Sequence, residues 1–186
     1  MLKDLILRNR STRKYYPEVA ISRDRLIELV DLGRLSASGS NRQPLKYYLS
    51  VESEKNNIIF RNIRLGGGTL ESERPSAYII ILNDKEICPD KANLVDHGIA
   101  AQNILLGATE IGLAGCMIGM VNRKELQRAL NIPERYEILL VLTIGKPKET
   151  FVIETFGPNT IDSRGWWDEQ GVRHIPKRTL EEIIIG

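Results

Sequence analysis

A short basic segment near the N-terminus combines cationic side chains with hydroxyl groups. It reads RNRSTRK and covers residues 8–14. Guanidinium groups, hydroxyls and backbone amides are the donors that a phosphate monoester requires, so the segment is a candidate phosphate site. The alternative interpretation is a solvated basic helix end that interacts with the dipole of its own helix.

A polar loop lies at residues 36–44, with the sequence SASGSNRQP. Asn and Gln amides donate and accept hydrogen bonds at once, which matches the mixed edge of a flavin pyrimidine. Ser, Gly, Asn and Pro are equally typical of an ordinary loop that ends a helix. Both interpretations stay open on these residues alone.

A glycine-rich apolar segment, GLAGCMIGM, covers residues 112–120. Missing side chains allow a planar ring to approach the backbone and leave an amide free to donate to it. The spacing differs from the GxGxxG of a dinucleotide fingerprint. The alternative is a set of structural glycines in a buried strand.

A second cationic pair, Lys177 and Arg178, stands near the C-terminus, directly before the sequence TLEE at 179–182. Thr179 followed by Glu182 is the pattern of a capping box, which predicts a final turn of helix. A solvated pair of charges is the alternative interpretation of the two cations.

No metal site or nucleophile motif is predicted. His97 and His174 have no second ligand at metal spacing. Cys88 and Cys116 form neither a CxxC pair nor a disulfide framework, which suits a reducing compartment. Asp96 is interpreted as a capping or surface charge.

The composition is that of a globular chain with little charge bias. Of 186 residues 42% are hydrophobic, and 26 basic residues against 24 acidic ones give a net charge of +2. This length predicts a single domain. The charge gives no reason to expect a nucleic-acid partner, and no stretch approaches the roughly 18 apolar residues of a membrane span. We expect a cytoplasmic protein with no membrane association.

Hydrophobic periodicity places these segments on helices and strands. The predicted helices begin near Leu2, after the N-cap Ser22, at Glu52, at Pro89 and Asp90, and after the cap Asn122 with Glu125 three residues on. The second of them ends at Gly33 or in the stretch Ser36–Ser40. The predicted strands are Lys46–Val51, Ala77–Leu82, Leu113–Gly119 and Glu137–Gly145, and Arg64–Pro75 is predicted to be a mobile loop.

The order of these elements favours an α+β fold over a regular parallel βαβ array, because helices lead and one helix is apolar on nearly every side. From Pro147 to Pro176 the periodicity fades. Such a length is unusual for a loop within a compact domain. Within a single domain of residues 1–186, we therefore expect 147–186 to be a C-terminal arm that travels across a surface, either of its own chain or of a partner subunit.

Taken together and in this order, the segments resemble the nitroreductase family over nearly the whole chain. The run RSTRKY at 10–15 is similar to the family's N-terminal signature, and SGSNRQP at 38–44 follows at the matching interval. Residues 96–103, leading into 112–119, resemble the central helix and the segment that faces the flavin. The run KRTLEE at 177–182 resembles the C-terminal signature.

The resemblance implies an α+β fold with a central, mostly antiparallel sheet covered by helices, in an intertwined homodimer that holds FMN at its interface. It implies that NADH or NADPH reduces the FMN and that a small-molecule acceptor reoxidises it. The residues that the resemblance assigns to FMN are Arg10, Ser11, Thr12, Arg13, Lys177 and Arg178 around the phosphate, Ser38, Asn41 and Gln43 from the partner subunit, and Met117, Ile118 and the Gly119 amide at the ring near N5.

Two functional hypotheses follow. The first is an FMN-dependent oxidoreductase that transfers hydride from NAD(P)H to an organic acceptor such as a nitroaromatic or a quinone. The second is a specialised flavin-dependent dehydrogenase, or a flavin-binding protein without general reductase activity. Departures from the family pattern keep the second open, since Asn9 stands where many members carry a basic residue and Leu45 replaces a frequent aromatic.

Overall fold

Two units make up the described chain. The computed structural model describes residues 1–66, 69–89, 95–157 and 162–186, and it divides the chain into Met1–Pro147 and Lys148–Gly186. The first unit contains the basic segment, the polar loop and the glycine-rich segment. The second contains the C-terminal cationic pair.

The described residues of the first unit form a four-stranded antiparallel sheet. Its strands are β1 (Leu45–Ser50), β2 (Ala77–Asp84), β3 (Ala114–Ile118) and β4 (Tyr136–Gly145), in the order β1-β2-β4-β3. All neighbouring pairs are antiparallel. The predicted α+β architecture is confirmed, and each predicted strand agrees with the observed one to within two residues at either end.

Helices cover both faces of this sheet. They are α1 (Leu2–Arg8), α2 (Arg23–Arg34), α3 (Ser53–Arg61), α4 (Asp96–Glu110) and α5 (Arg123–Ala129). The start of α2 is as predicted, because the Ser22 side chain accepts a hydrogen bond from the Arg25 amide at 3.1 Å. The helix runs through Gly33 and ends just before the small-residue stretch. Among the described helices, none has the length and apolarity needed to cross a membrane.

Strand β2 shows why helices are needed on both sides of the sheet. Its side chains alternate between two apolar cores, as a pleated strand requires. Tyr78 and Ile80 pack into the core that contains α3 and α5, whereas Ile79 and Ile81 pack into the core that contains α2 and α4. All four are 0% exposed, which accounts for the uninterrupted apolar run in the sequence.

One predicted helix start differs from the observed one. The longest helix was expected to begin at Pro89 and Asp90, but Pro89 lies outside it and α4 begins at Asp96, while residues 90–94 lie outside the described residues. Asn122 is the N-cap of α5, yet its side chain makes no capping hydrogen bond. In the predicted 64–75 loop, Glu71–Glu73 form a turn of 3-10 helix, and residues 67 and 68 lie outside the description.

The second unit contains a sheet, although the hydrophobic periodicity of its sequence fades and predicts no strand there. Strands β5 (Thr150–Thr155), β6 (Trp166–Trp167) and β7 (Val172–Lys177) pair in the order β5-β7-β6, with β5 and β7 parallel. The predicted capping box is confirmed. The Thr179 amide donates to Glu182 Oε2 at 3.1 Å, at the start of α6 (Leu180–Ile183).

Candidate functional site

The basic segment lies along the outer edge of β3. Ser11 forms a parallel bridge with Gly115, and the Thr12 amide donates to the Gly115 carbonyl at 3.0 Å. Gly115 is required by packing, because a Cβ there would lie 2.1 Å from the Thr143 carbonyl oxygen and 2.6 Å from Leu105 Cδ2. This glycine therefore serves close packing of the strand, the structural alternative that the sequence left open.

A buried polar network holds the segment in this position. Tyr15 is 0% exposed, and its hydroxyl donates to the Thr12 carbonyl and lies 2.7 Å from Thr143 Oγ1. The Cys116 amide donates to the same Thr143 oxygen at 2.9 Å. The Tyr15 ring packs so closely on Gly145 that a Cβ there would lie 2.5 Å from Tyr15 Cδ1. Strands β3 and β4 thus fix the backbone that follows Arg10.

Arg10 carries an unsatisfied buried donor. Its Nη2 donates to the Ile6 carbonyl, but its Nε is buried and has no hydrogen-bond partner among the described residues. Burial lowers the pKa of Arg10, since the environment disfavours the charged form. Because buried donors in folded proteins are almost always paired, an acceptor from outside the described chain is expected at this guanidinium.

The neighbouring residues of the segment divide into exposed and internal groups. Ser11 is exposed. Arg13 is half-buried, with its Nε donating to the Leu65 carbonyl at 3.1 Å. Thr12 is only 1% exposed, and its hydroxyl donates to the Arg10 carbonyl at 3.3 Å. Its side chain therefore supports the backbone of the segment and does not lie on the surface with Ser11.

Asn9 ties the segment to α4 through side-chain hydrogen bonds that no local sequence pattern predicts. Its Nδ2 donates to the Leu105 carbonyl at 3.1 Å and to Thr109 Oγ1 at 2.9 Å, and its Oδ1 accepts from Gln102 at 3.1 Å. A basic side chain could not accept the third of these bonds. The departure from the family pattern at Asn9 therefore has a structural role.

The end of β3 separates two residues that the family resemblance places together. Met117 packs against the α2/α4 core, whereas Ile118 is 4% exposed and belongs to the α3/α5 core on the other face. Gly119 is exposed, and an added Cβ would meet no atom within 4 Å. Gly119 directly follows Ile118, the last residue of β3, so this open space lies beyond the end of the strand. The space beside Gly119 can receive a planar group.

The polar loop is anchored by Asp96, at the first residue of α4. The Ser38 hydroxyl donates to Asp96 Oδ2 at 2.6 Å, and the Gly39 amide donates to Asp96 Oδ1 at 3.1 Å. The Ser38 oxygen in turn accepts from the Gln43 amide at 2.9 Å. Asp96 is 2% exposed, so its interpretation as a capping or surface charge was wrong.

The same loop carries an unusual backbone. Ser40, Asn41 and Gln43 have φ angles of 51°, 53° and 51°, in the left-handed region that favours glycine. Each such residue costs on the order of 1–3 kcal/mol and persists only where surrounding contacts impose it. All three residues are exposed. Strain concentrated in an exposed polar loop indicates a functional surface.

The two polar groups of the first unit lie at opposite ends of α4. Asp96 anchors the polar loop and Thr109 contacts Asn9. These positions are thirteen residues apart in one helix, which corresponds to about 20 Å. One chain therefore does not bring Ser38, Asn41 and Gln43 together with the basic segment.

The C-terminal cations lie in the second unit. Arg178 donates to Glu182 Oε1 at 3.1 Å and its guanidinium stacks 4.6 Å from the Phe156 ring centre. Lys177 is the last residue of β7, and its carbonyl accepts from the Phe156 amide at 2.7 Å. Across the described ranges of both units, no three His, Cys, Asp or Glu side chains converge as metal ligands.

Comparison with known proteins agrees with the resemblance. The chain is 27% identical over 161 residues to the NADPH-flavin oxidoreductase of Vibrio harveyi, covering 78% of this chain and 65% of that protein. It is 28% identical over 166 residues to the Cr(VI) reductase of Pseudomonas sp. (strain G-1), covering 79% of this chain and 67% of the relative. The chain thus spans about two thirds of the length of these two curated relatives.

The fold has a close counterpart among solved structures. A Desulfovibrio desulfuricans protein in complex with FMN matches with a TM-score of 0.74 and 22% identity, covering 100% of this chain and 95% of that chain. A family model described as the nitroreductase family matches residues 6–65 and 74–146. Because these ranges cover most of the sequence, the chain belongs to the nitroreductase family.

Proposed function

We propose that this chain is an FMN-dependent oxidoreductase that takes hydride from NADH or NADPH and passes it to a small organic acceptor such as a nitroaromatic or a quinone. The observation that carries the proposal is the buried Arg10 Nε, which lacks a partner among the described residues. The relatives support the same class, since the Vibrio harveyi protein is named an NADPH-flavin oxidoreductase and the Desulfovibrio desulfuricans structure contains FMN.

The donors of the basic segment fit an FMN phosphate. A buried donor left unsatisfied costs about 1–3 kcal/mol, and a phosphate oxygen would satisfy the Arg10 Nε. Ser11 is exposed on the same edge of β3, and Arg13 follows two residues later. The Thr12 hydroxyl supports this site indirectly, because it donates a hydrogen bond to the Arg10 carbonyl and so stabilises the backbone of the segment. Lys177 and Arg178 are included as further phosphate ligands on the strength of the family signature.

The exposed end of β3 fits the ring. FMN, when bound, supplies the N5 atom that accepts and returns hydride. Met117 is the last residue but one of β3, Gly119 directly follows the strand, and the space beside Gly119 is open. We therefore assign the Met117 side chain and the Gly119 amide to the ring. Ile118 supports the strand from the core behind it.

A second copy of the chain completes the site in this proposal. Ser38, Asn41 and Gln43 of the partner subunit would approach the ring, since the loop of the same chain is at the far end of α4. The surface at the start of α4 that a partner would cover includes the N-cap residue Val95 and Ile99, which are 67% and 39% exposed. Burial of such apolar side chains is the main favourable term in protein association.

The C-terminal arm belongs to the same proposal. Residues 147–186 would cross the partner subunit, because α6 and the residues after it carry apolar side chains that are exposed in one chain. Leu180, Ile183 and Ile185 are 65%, 57% and 98% exposed. Contiguous exposed apolar residues typically mark an interface.

The proposal is tested by anaerobic visible absorption of the protein with FMN, before and after addition of NADH and then NADPH. Bound flavin that bleaches is the expected result. Flavin that binds but stays oxidised would favour the specialised dehydrogenase or flavin-binding alternative. Failure to bind FMN would contradict the proposal.

The phosphate assignment is tested with the double variant Arg10→Ala, Arg13→Ala. Loss of two charge-assisted contacts should weaken FMN binding by at least about 100-fold, measured by quenching of flavin fluorescence. The control is Arg25→Ala, Arg128→Ala, because these arginines sit in exposed helical ion pairs with Glu28 and Glu125. Unchanged affinity in the first variant would exclude this segment as the phosphate site.

A further inference from the structure

The loop formed by residues 38–43 rests on a single buried carboxylate. Asp96 is 2% exposed, and one of its oxygens accepts from the Ser38 hydroxyl while the other accepts from the Gly39 amide. The carboxylate belongs to the first turn of α4, a helix of 15 residues. The positive end of a helix dipole stabilises an anion at that position.

The backbone of this loop needs such an anchor. Ser40, Asn41 and Gln43 are non-glycine residues in the left-handed region, and all are exposed. Within the loop, the Asn41 amide donates to the Ser38 carbonyl at 2.9 Å and the Gln43 side chain donates to the Asn41 carbonyl at 3.2 Å. Ser38 receives the Gln43 amide at 2.9 Å, so the Ser38–Asp96 bond links both ends of the strained stretch to α4.

Asp96 also determines whether the Ser38 hydroxyl can donate or accept a hydrogen bond toward a ligand. A hydroxyl has one proton and two lone pairs. The Ser38 proton is committed to Asp96 and one lone pair to the Gln43 amide. What is left is one lone pair, so Ser38 can accept a single hydrogen bond from a ligand and can donate none.

We propose that Asp96 is a positioning residue for the flavin. It holds the strained loop of residues 38–43 and makes Ser38 a pure acceptor toward a flavin N–H. This inference rests on the proposed FMN function, and it adds a buried residue that does not touch the cofactor. Asp96→Asn would place an amide N–H opposite Ser38, reverse the hydroxyl, and present a donor to the ligand in place of the acceptor.

The test compares FMN affinity and folding stability in matched variants. Asp96→Asn and Ser38→Ala should each raise the FMN dissociation constant at least about 10-fold. Their effects should not add in the double variant, because both act through one hydrogen bond. The control is Asp84→Asn, since Asp84 is also fully buried and pairs with Arg135. That variant should lose stability to urea without a change in FMN affinity.

Amide hydrogen exchange of Gly39 and Gln43 in the FMN-free protein gives a readout independent of flavin. Exchange should accelerate in Asp96→Asn and stay unchanged in Asp84→Asn. Wild-type affinity in both Asp96→Asn and Ser38→Ala would overturn the inference and leave the proposed function intact. A wild-type protein that binds no FMN would remove the proposed function and the inference with it. If Asp96→Asn does not fold, Ser38→Ala carries the same test.

Discussion

Gly115 and Gly119 stand four residues apart but have opposite surroundings. A side chain on Gly115 would collide with the carbonyl of Thr143, whereas one on Gly119 would point into open space. The first glycine lets the basic segment, β3 and β4 pack in register. The second leaves an exposed amide beyond the strand. The role of a glycine in this segment therefore depends on the atoms that surround its Cα and cannot be inferred from the residue type alone.

The two glycines give a paired prediction. Gly115→Ala should destabilise the fold by about 2–4 kcal/mol, because the backbone carbonyl in its way cannot rotate aside. Gly119→Ala should leave stability within about 0.5 kcal/mol but weaken FMN binding, since the methyl group occupies the proposed ring face. Urea denaturation and FMN titration of both variants measure these effects. Equal stability of the two proteins would contradict the close packing at Gly115.

At the scale of elements, α4 acts as a rigid spacer. Asp96 at its start holds the polar loop, and Leu105 and Thr109 near its end hold Asn9, next to Arg10. The separation of about 20 Å follows from the helix rise. The proposed phosphate-binding segment and the polar loop of one chain therefore cannot move toward each other without breaking the helix.

The sheet of the second unit contains a histidine that is hydrogen-bonded to two carboxylates. His174 on β7 contacts Asp168 at 3.2 Å and Glu154 of β5 at 2.7 Å, and it stacks on Trp166 with ring centres 5.0 Å apart. Hydrogen bonds to Asp168 and Glu154 raise the pKa of His174 above its ordinary value. The folded unit therefore binds a proton more tightly than the unfolded chain does.

The raised pKa of His174 predicts how the stability of the second unit changes with pH. The contribution of His174 is fully present below the ordinary histidine pKa and is lost as the pH rises through the raised pKa of the folded state. Both tryptophans of the chain, Trp166 and Trp167, lie in this unit, so the midpoint of its fluorescence melt should fall over that pH range. The melting midpoint of His174→Gln should change less with pH over this range, whereas that of His97→Gln should change with pH as in the wild type. A pH-independent midpoint in the wild type would refute the assignment.

Local signals explain which elements could be predicted. Ser22 caps α2 through its own side chain, and the apolar run of β2 reflects helices on both faces, so sequence pattern was sufficient. The β5–β7 pairing joins segments some twenty residues apart whose side chains are only partly buried. Their sequences therefore lack the hydrophobic alternation from which a strand could be predicted. Asp96 was missed because its partners are about 57 residues away in sequence, and an Asp before an apolar helix is typical of a cap.

At the scale of the whole molecule, the proposed site draws on two chains. Each chain has the proposed phosphate-binding segment at one end of α4 and the polar loop at the other. In a twofold dimer, every site would combine the segment of one subunit with the loop of its partner. Light scattering of the holoprotein should therefore give twice the chain mass of 21.1 kDa.

Subunit mixing provides a stringent test of this arrangement. Chains with Arg10→Ala and Arg13→Ala lack the segment function, and chains with Ser38→Ala and Asp96→Asn lack the loop function. Equal mixing with random exchange should restore about a quarter of the FMN sites, because half the dimers are mixed and each mixed dimer has one intact site. Each variant alone should bind weakly. No recovery after verified exchange would show that the two groups do not share a site across the dimer.

The basic segment has one more consequence, which concerns self-association. Strand β3 stands at the end of the sheet order, where an uncovered row of backbone groups would be a template for pairing with another molecule. Ser11 and Thr12 pair along that edge at Gly115. The residues proposed to bind a phosphate thus also cover part of an exposed strand edge. The same stretch of backbone therefore lowers the tendency of β3 to pair with another molecule and aggregate.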